Sequence, residues 1–180
     1  MKKVFGLLTF CALLSACNPE IKEGKTKRYF DLKGLIESQI KTLNKQKPMV
    51  QKTILMSEKS ESQLVKTIDW AKELELFIQM DLNKPAFTQS YQVDSSSTSV
   101  NYKLKDNEKL PVKYLIISRV GEDGISIEAL VSNENYLYQT ERHLKLSLKS
   151  NKIHDYQIEG FQKIIFGNKK TFKINGVIKR

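Results

Sequence analysis

Few residues of this chain are of a type and spacing that could do chemistry. His143 and His154 are the two histidines. A zinc site without cysteine would need both of them plus carboxylates. They fall on neighbouring predicted strands, and nothing in their spacing fixes a common register. The reading is of two strand-face histidines, and no metal is expected. Asp69 and Glu73 stand at i, i+4 on one predicted helix face. Such a pair could hold mutually perturbed carboxylates. Lys66 and Lys72 lie close by, and the plainer reading, a solvated helix edge, is preferred. Glu75 is odder. At 100° per residue it falls inside the apolar stripe of Leu64, Ile68, Ala71 and Leu82. A carboxylate there must find a cation, shift its pKa or line a cavity. A bend near Asp69 would instead carry it to solvent. Trp70, Glu75 and Phe77 are therefore the candidate lining of an apolar ligand site, with core packing the plainer role for Trp70. There is no Gly-x-Ser-x-Gly elbow, no phosphate-cradling loop and no dinucleotide glycine pattern. Gly121-x-x-Gly124 precedes no predicted helix. No catalytic residue and no cofactor is expected.

Cys17 is the exception. Met1-Lys2-Lys3 is a short basic start, followed by an uncharged and mostly apolar run over residues 4–14. A membrane-spanning helix needs about 20 apolar residues. The run is too short for that and has the length of a signal-peptide core. It ends in Leu14-Ser15-Ala16-Cys17, with small residues before the expected cut.

Leu-Ser-Ala-Cys resembles the lipobox of bacterial lipoproteins, with Cys17 at the modified position. The resemblance implies a diacylglyceryl thioether on Cys17, cleavage of residues 1–16 and, often, acylation of the new amino terminus. One acyl chain holds a protein only marginally, whereas two or more attach it stably. Cys11 would leave with the signal peptide, so the mature chain would have no free thiol and no disulfide. Asn18, where Asp would retain an enterobacterial lipoprotein at the inner membrane, resembles the signature of an outer-membrane passenger. In overall character, with the lipobox, a Lys- and Asn-rich chain and a Trp-Ala-Lys-Glu-Leu-Glu segment, the sequence is similar to uncharacterised lipoproteins of the Bacteroidota.

The 180 residues carry 30 Lys+Arg against 20 Asp+Glu, a net charge of +10, and 40% are hydrophobic. That suits one domain with a real core. Cleavage would remove Lys2 and Lys3 and leave +8, of which +6 belongs to the body over 29–180. Residues 17–28 are polar, contain Pro19 and Gly24, and read as a flexible tether. The lysines are dispersed rather than interleaved with aromatics, and export argues against a nucleic-acid partner.

The elements that must position these residues are set by periodicity. Leu32, Leu35, Ile36, Ile40 and Leu43 predict a helix over 32–43, with Asp31 as N-cap and Phe30 and Leu35 as a hydrophobic staple. Pro48 ends it. Residues 49–57 predict a strand. Ser60 and Gln63 have capping-box spacing and open a predicted helix of about 20 residues, closed by Asn83-Lys84-Pro85. From Phe87 onward the period is two, with turns at Gly121–Gly124, Ser150-Asn151-Lys152 and Gly167-Asn168. Residues 153–166 read as one strand with Gly160 as a bulge. Asn175-Gly176 is a hairpin signal with little chain left to pair. The expected fold is α+β: two amphipathic helices on a curved antiparallel sheet of about six or seven strands.

Two functions fit. The first is a membrane-anchored, non-catalytic binding module for a lipid or other apolar ligand, which predicts a sizeable apolar pocket near Trp70, Glu75 and Phe77. The second is a structural or assembly subunit of an envelope protein complex. It predicts an exposed apolar patch or an open sheet edge.

Overall fold

The computed structural model describes residues 27–179. The predicted signal segment, Cys17 and most of the predicted tether lie outside the described residues. Helix α1 (Leu32–Gln46) forms where its apolar period places it. The Asp31 carboxylate accepts from Gly34 N at 2.9 Å and caps it, with Lys27 paired to the same carboxylate. Phe30 and Leu35 both pack on the core, as the staple requires. Lys47 takes a left-handed conformation (φ 47°) and its N–H closes onto Leu43 O, so the chain turns out before Pro48. Strand β1 (Met49–Met56) comes next.

The second predicted helix is corrected. Residues 59–65 are not its first turns but strand β2 (Lys59–Val65), paired antiparallel with β1 from Met56↔Lys59 to Val50↔Val65. Ser60 and Gln63 are ladder residues, not a capping box. Helix begins only after Asp69, as α2 (Trp70–Glu73), breaks at Leu74 (φ −101°, ψ 7°) and resumes as α3 (Glu75–Gln79). The apolar spacing from Leu64 to Ile68 fitted a helix by coincidence, and backbone pairing to the free edge of β1 outweighs a weak local propensity.

A 3-10 turn (Pro85–Phe87) leads to β3 (Tyr91–Ser95), β4 (Ser99–Leu104), β5 (Val112–Val120), β6 (Gly124–Glu134), β7 (Tyr138–Lys149), β8 (Lys152–Ile164) and β9 (Lys170–Lys179). All nine strands form one antiparallel sheet in the order β2-β1-β9-β8-β7-β6-β5-β4-β3. Among the described residues the fold is α+β, with nine strands rather than six or seven and one regular helix rather than two. One expected turn and one expected bulge are corrected. Asn175-Gly176 makes no hairpin: it lies inside β9, opposite Thr53 and Lys52 of β1 and Gln157 and Tyr156 of β8. Gly160 is not a bulge either. It pairs in register with Arg142, and the irregularity falls instead at His154, between the pairs Ser147↔Asp155 and Leu148↔Ile153. A Cβ at Gly160 would collide with the backbone carbonyl of Glu141, so this glycine is required by close approach of the neighbouring strand.

The helices cover one face of the sheet. Registers place Gly176, Tyr156, Leu146 and Ile127 in one row across β9, β8, β7 and β6. The adjoining row runs Ile54, Ile174, Ile158, Leu144, Ala129 and Leu115. Leu32, Ile36 and Leu43 of α1 and Leu74, Phe77, Met80 and Leu82 are buried with these rows. Burying one such aliphatic or aromatic side chain contributes about 1.5–3 kcal/mol. The Gln39 side chain donates to Asn151 O (3.1 Å) and accepts from Ile153 N (3.1 Å), docking α1 on the β7–β8 turn. That turn uses positive φ at Ser150 and Asn151. At the other end of α1, Tyr29 N donates to Asn83 Oδ1 and Phe30 N to the Tyr102 hydroxyl, so the chain is pinned from Tyr29 onward.

Candidate functional site

Trp70, Glu75 and Phe77 do not converge. Trp70 is 2% exposed and Phe77 is fully buried, both within the core. Glu75 is exposed and accepts from Gln79 Nε2 at 3.2 Å. The break at Leu74 re-aims the helix and carries Glu75 to solvent, although a continuous helix would have turned it inward. Asp69 and Glu73 also part company. Asp69 caps α2 through Lys72 N, and that hydrogen bond holds its pKa below the ordinary carboxylate value. Glu73 turns toward the sheet.

There Glu73 meets two side chains whose sequence positions gave no sign of the contact. Lys52 Nζ lies 2.8 Å from the carboxylate and the Tyr156 hydroxyl donates to Oε1 at 2.5 Å. The side chains of Lys52 and Glu73 are only 20% and 16% exposed. Burial first, then the Glu73 carboxylate, holds the Tyr156 phenol far above its ordinary pKa. Each group has its partner within the cluster, which fastens α2 to the sheet. The histidines are equally occupied at the surface. His143 Nε2 lies 3.4 Å from Glu141 and His154 Nδ1 lies 2.9 Å from Asp155. Among the described residues no three His, Cys, Asp or Glu side chains could jointly hold a metal ion.

Two hollows open on the described surface. One, of about 330 Å³, is lined by Leu55, Phe161 and Phe172 with His143, Glu159, Lys169 and Lys173. The other, of about 200 Å³, lies between α3 and the sheet, beside Leu76, Val112, Val131 and Arg142. Neither is lined by Trp70, Glu75 or Phe77.

The most unusual surface is at one end of the sheet, where the β1–β2, β6–β7 and β8–β9 turns all lie. Tyr138 and Ile164 are the last register pair of β7 and β8. Beyond them the two hairpin tips run side by side, joined by Ile165 N to Leu137 O at 2.9 Å. Tyr136 is 82% exposed and Phe166 96%, and Leu137, Tyr138, Ile164 and Ile165 are exposed with them. Met56, at the end of β1 opposite Phe172, is also exposed. The tips are nevertheless well built. The Asn135 side chain accepts from Leu137 N (2.8 Å) and Tyr138 N (3.0 Å), Asn135 N donates to Tyr138 O, and Gly167 N to Ile164 O. These residues do not figure among the sequence-derived candidates. Their signal was present: Ile164-Ile165-Phe166 runs straight into the turn residues Gly167-Asn168, and three consecutive apolar residues at a hairpin tip have no core to enter. No helix among the described residues is long and apolar enough to cross a membrane.

No family model, no curated protein and no solved structure matches this chain.

Proposed function

We propose that this chain is a lipid-anchored, non-catalytic interaction protein of the bacterial cell envelope, held through an acylated Cys17, with Asn18 favouring the outer membrane. Its contact surface is the apolar end of the sheet. One observation carries this reading: two adjacent hairpin tips expose Tyr136, Leu137, Tyr138, Ile164, Ile165 and Phe166 together. Scattered apolar residues are ordinary on a protein surface, but a contiguous group of large ones marks a place of contact. The assembly role gains from this, because an exposed patch is what it requires. The apolar-ligand role rests on the hollow beside Leu55, Phe161 and Phe172, whose 330 Å³ lies at the low end of small-molecule sites.

A photo-crosslinking phenylalanine analogue placed at Tyr136 or Phe166 in living cells tests the reading. Adducts are expected from both positions and none from Ser97, at the opposite end of the sheet. Absence of adducts at both tips overturns it. Mass spectrometry of the detergent-extracted native protein separates the two roles. Acyl species in excess of the Cys17 anchor, without tip adducts, would support the ligand role instead.

A further inference from the structure

Building on the interaction reading above, we infer that the partner of the β6–β7 and β8–β9 tips is a membrane surface carrying anionic phospholipid, into whose headgroup region the tip side chains insert. Charge accompanies the apolar residues. Between residues 160 and 172 there is no carboxylate, while Lys163, Lys169 and Lys170 are all exposed. Lys163 and Lys170 therefore flank Ile164, Ile165 and Phe166, and the one carboxylate beside the neighbouring tip is Glu134, at the end of β6. Lys169 Nζ sits 3.6 Å from the Phe161 ring centroid, so its stem folds back along the strand rather than over the tip. Long lysine side chains can keep their ammonium groups at the headgroups while apolar neighbours go deeper. Each lysine near an anionic surface is worth about 1 kcal/mol.

The side-chain types fit the same place. Tyr136 and Tyr138 carry an apolar ring and a polar tip, the combination enriched where hydrocarbon meets water. The backbone fits as well. In the hydrated headgroup region water and lipid oxygens can pair some N–H groups, so the backbone need be satisfied internally only in part. In these tips the N–H groups of Asn135, Leu137, Tyr138, Ile165 and Gly167 are bonded within the protein. A protein interface also centres on aromatic side chains, but it is depleted in lysine; an anionic bilayer favours apolar side chains flanked by lysine. Insertion would give an anchored chain a second attachment and fix its orientation, since single attachments are weak and paired ones stable.

The test uses the full chain bearing Phe166→Trp. Trp70 is the single native tryptophan and is buried, so its emission is a constant background. The protein is reconstituted with vesicles of phosphatidylcholine and phosphatidylglycerol, part of it brominated near the glycerol end of the acyl chains. The quench reports the position of residue 166 whether or not the chain is also anchored. The expected result is a blue-shifted emission that loses most of its intensity in the brominated anionic vesicles. Changing Lys163 and Lys170 together to Gln should lower the docking equilibrium about 30-fold, at about 1 kcal/mol per lysine, with an unchanged melting temperature. Emission that stays red and unquenched in anionic vesicles overturns the inference. If it does so while Tyr136 crosslinks to a protein in cells, the membrane partner is wrong and the interaction reading stands.

Discussion

Gly176 lies directly across from Tyr156 in the β8–β9 register, and the space where its side chain would be is filled by the Tyr156 phenol. On its other side Gly176 pairs with Lys52. The Glu73 carboxylate bridges the two neighbours of this glycine, accepting from the Tyr156 hydroxyl and pairing with Lys52. A Cβ at position 176 would overlap the ring, which is fully buried and packed edge-on to Phe77 at 6.4 Å. Gly176→Ala should therefore destabilise the fold by about 1–3 kcal/mol, the usual range for an overpacked core. Urea unfolding measures this, and a midpoint equal to that of the parent would show that the ring has room to move.

The break at Leu74 assigns opposite fates to two nearby glutamates. Glu73→Ala removes the acceptor of a buried hydroxyl and the partner of a half-sheltered ammonium. A loss of about 2 kcal/mol is expected, in the range for hydrogen bonds to charged groups. Glu75→Ala, on the exposed side, should stay within about 0.5 kcal/mol of the parent. A double-mutant cycle of Glu73→Ala with Lys52→Met should show coupling of about 0.5–3 kcal/mol. Additive losses would mean the pair does not interact in solution.

Tyr156 and Tyr91 make stability fall at high pH. Burial raises both phenols, with Glu73 adding to Tyr156, while the Tyr91 hydroxyl donates to Val112 O. A group whose folded pKa lies above its unfolded value gives its full contribution below the unfolded value, here about 10. That contribution drains as the pH rises further, because the unfolded chain loses protons the folded chain retains. Each tyrosine contributes a slope of about 1.4 kcal/mol per pH unit in that window. Denaturant unfolding between pH 8 and pH 11 should show the parent losing stability faster than Tyr156→Phe. Parallel curves would contradict the burial assigned to this phenol.

Sequence legibility tracked the strength of the side-chain pattern. The α1 helix was legible because its apolar stripe, the Asp31 cap and Pro48 agree with one another. The β6 and β7 strands were legible because Ile125–Val131 and Leu144–Leu148 alternate over long stretches against a single buried face. β2 was not. It is an edge strand held by backbone pairing, with Leu64 exposed, so no buried face imprints a period of two on it. The bulge at His154 and the place of Asn175-Gly176 were concealed for a different reason, since β8 and β9 are interior strands. A turn dipeptide inside a strand is informative only once the ring of Tyr156 is known to need its space. The tips were hidden for a related reason. Apolar runs ending a strand look like core until the register shows that Tyr138 and Ile164 are the last pair, with Ile165 and Phe166 projecting beyond it into solvent.

The proposed function requires that the apolar end of the sheet be covered in the envelope. Phe166→Cys and, at the opposite end, Ser97→Cys can each be labelled with a water-soluble maleimide, first in the anchored chain in intact membranes and then in the body over 27–179, purified without the anchor in detergent-free buffer. The prediction is that Phe166→Cys is shielded in membranes and labels freely once purified, while Ser97→Cys labels equally in both. Equal and rapid labelling of Phe166→Cys in both settings would show that the tips stand free in water, and the contact surface proposed for them does not exist.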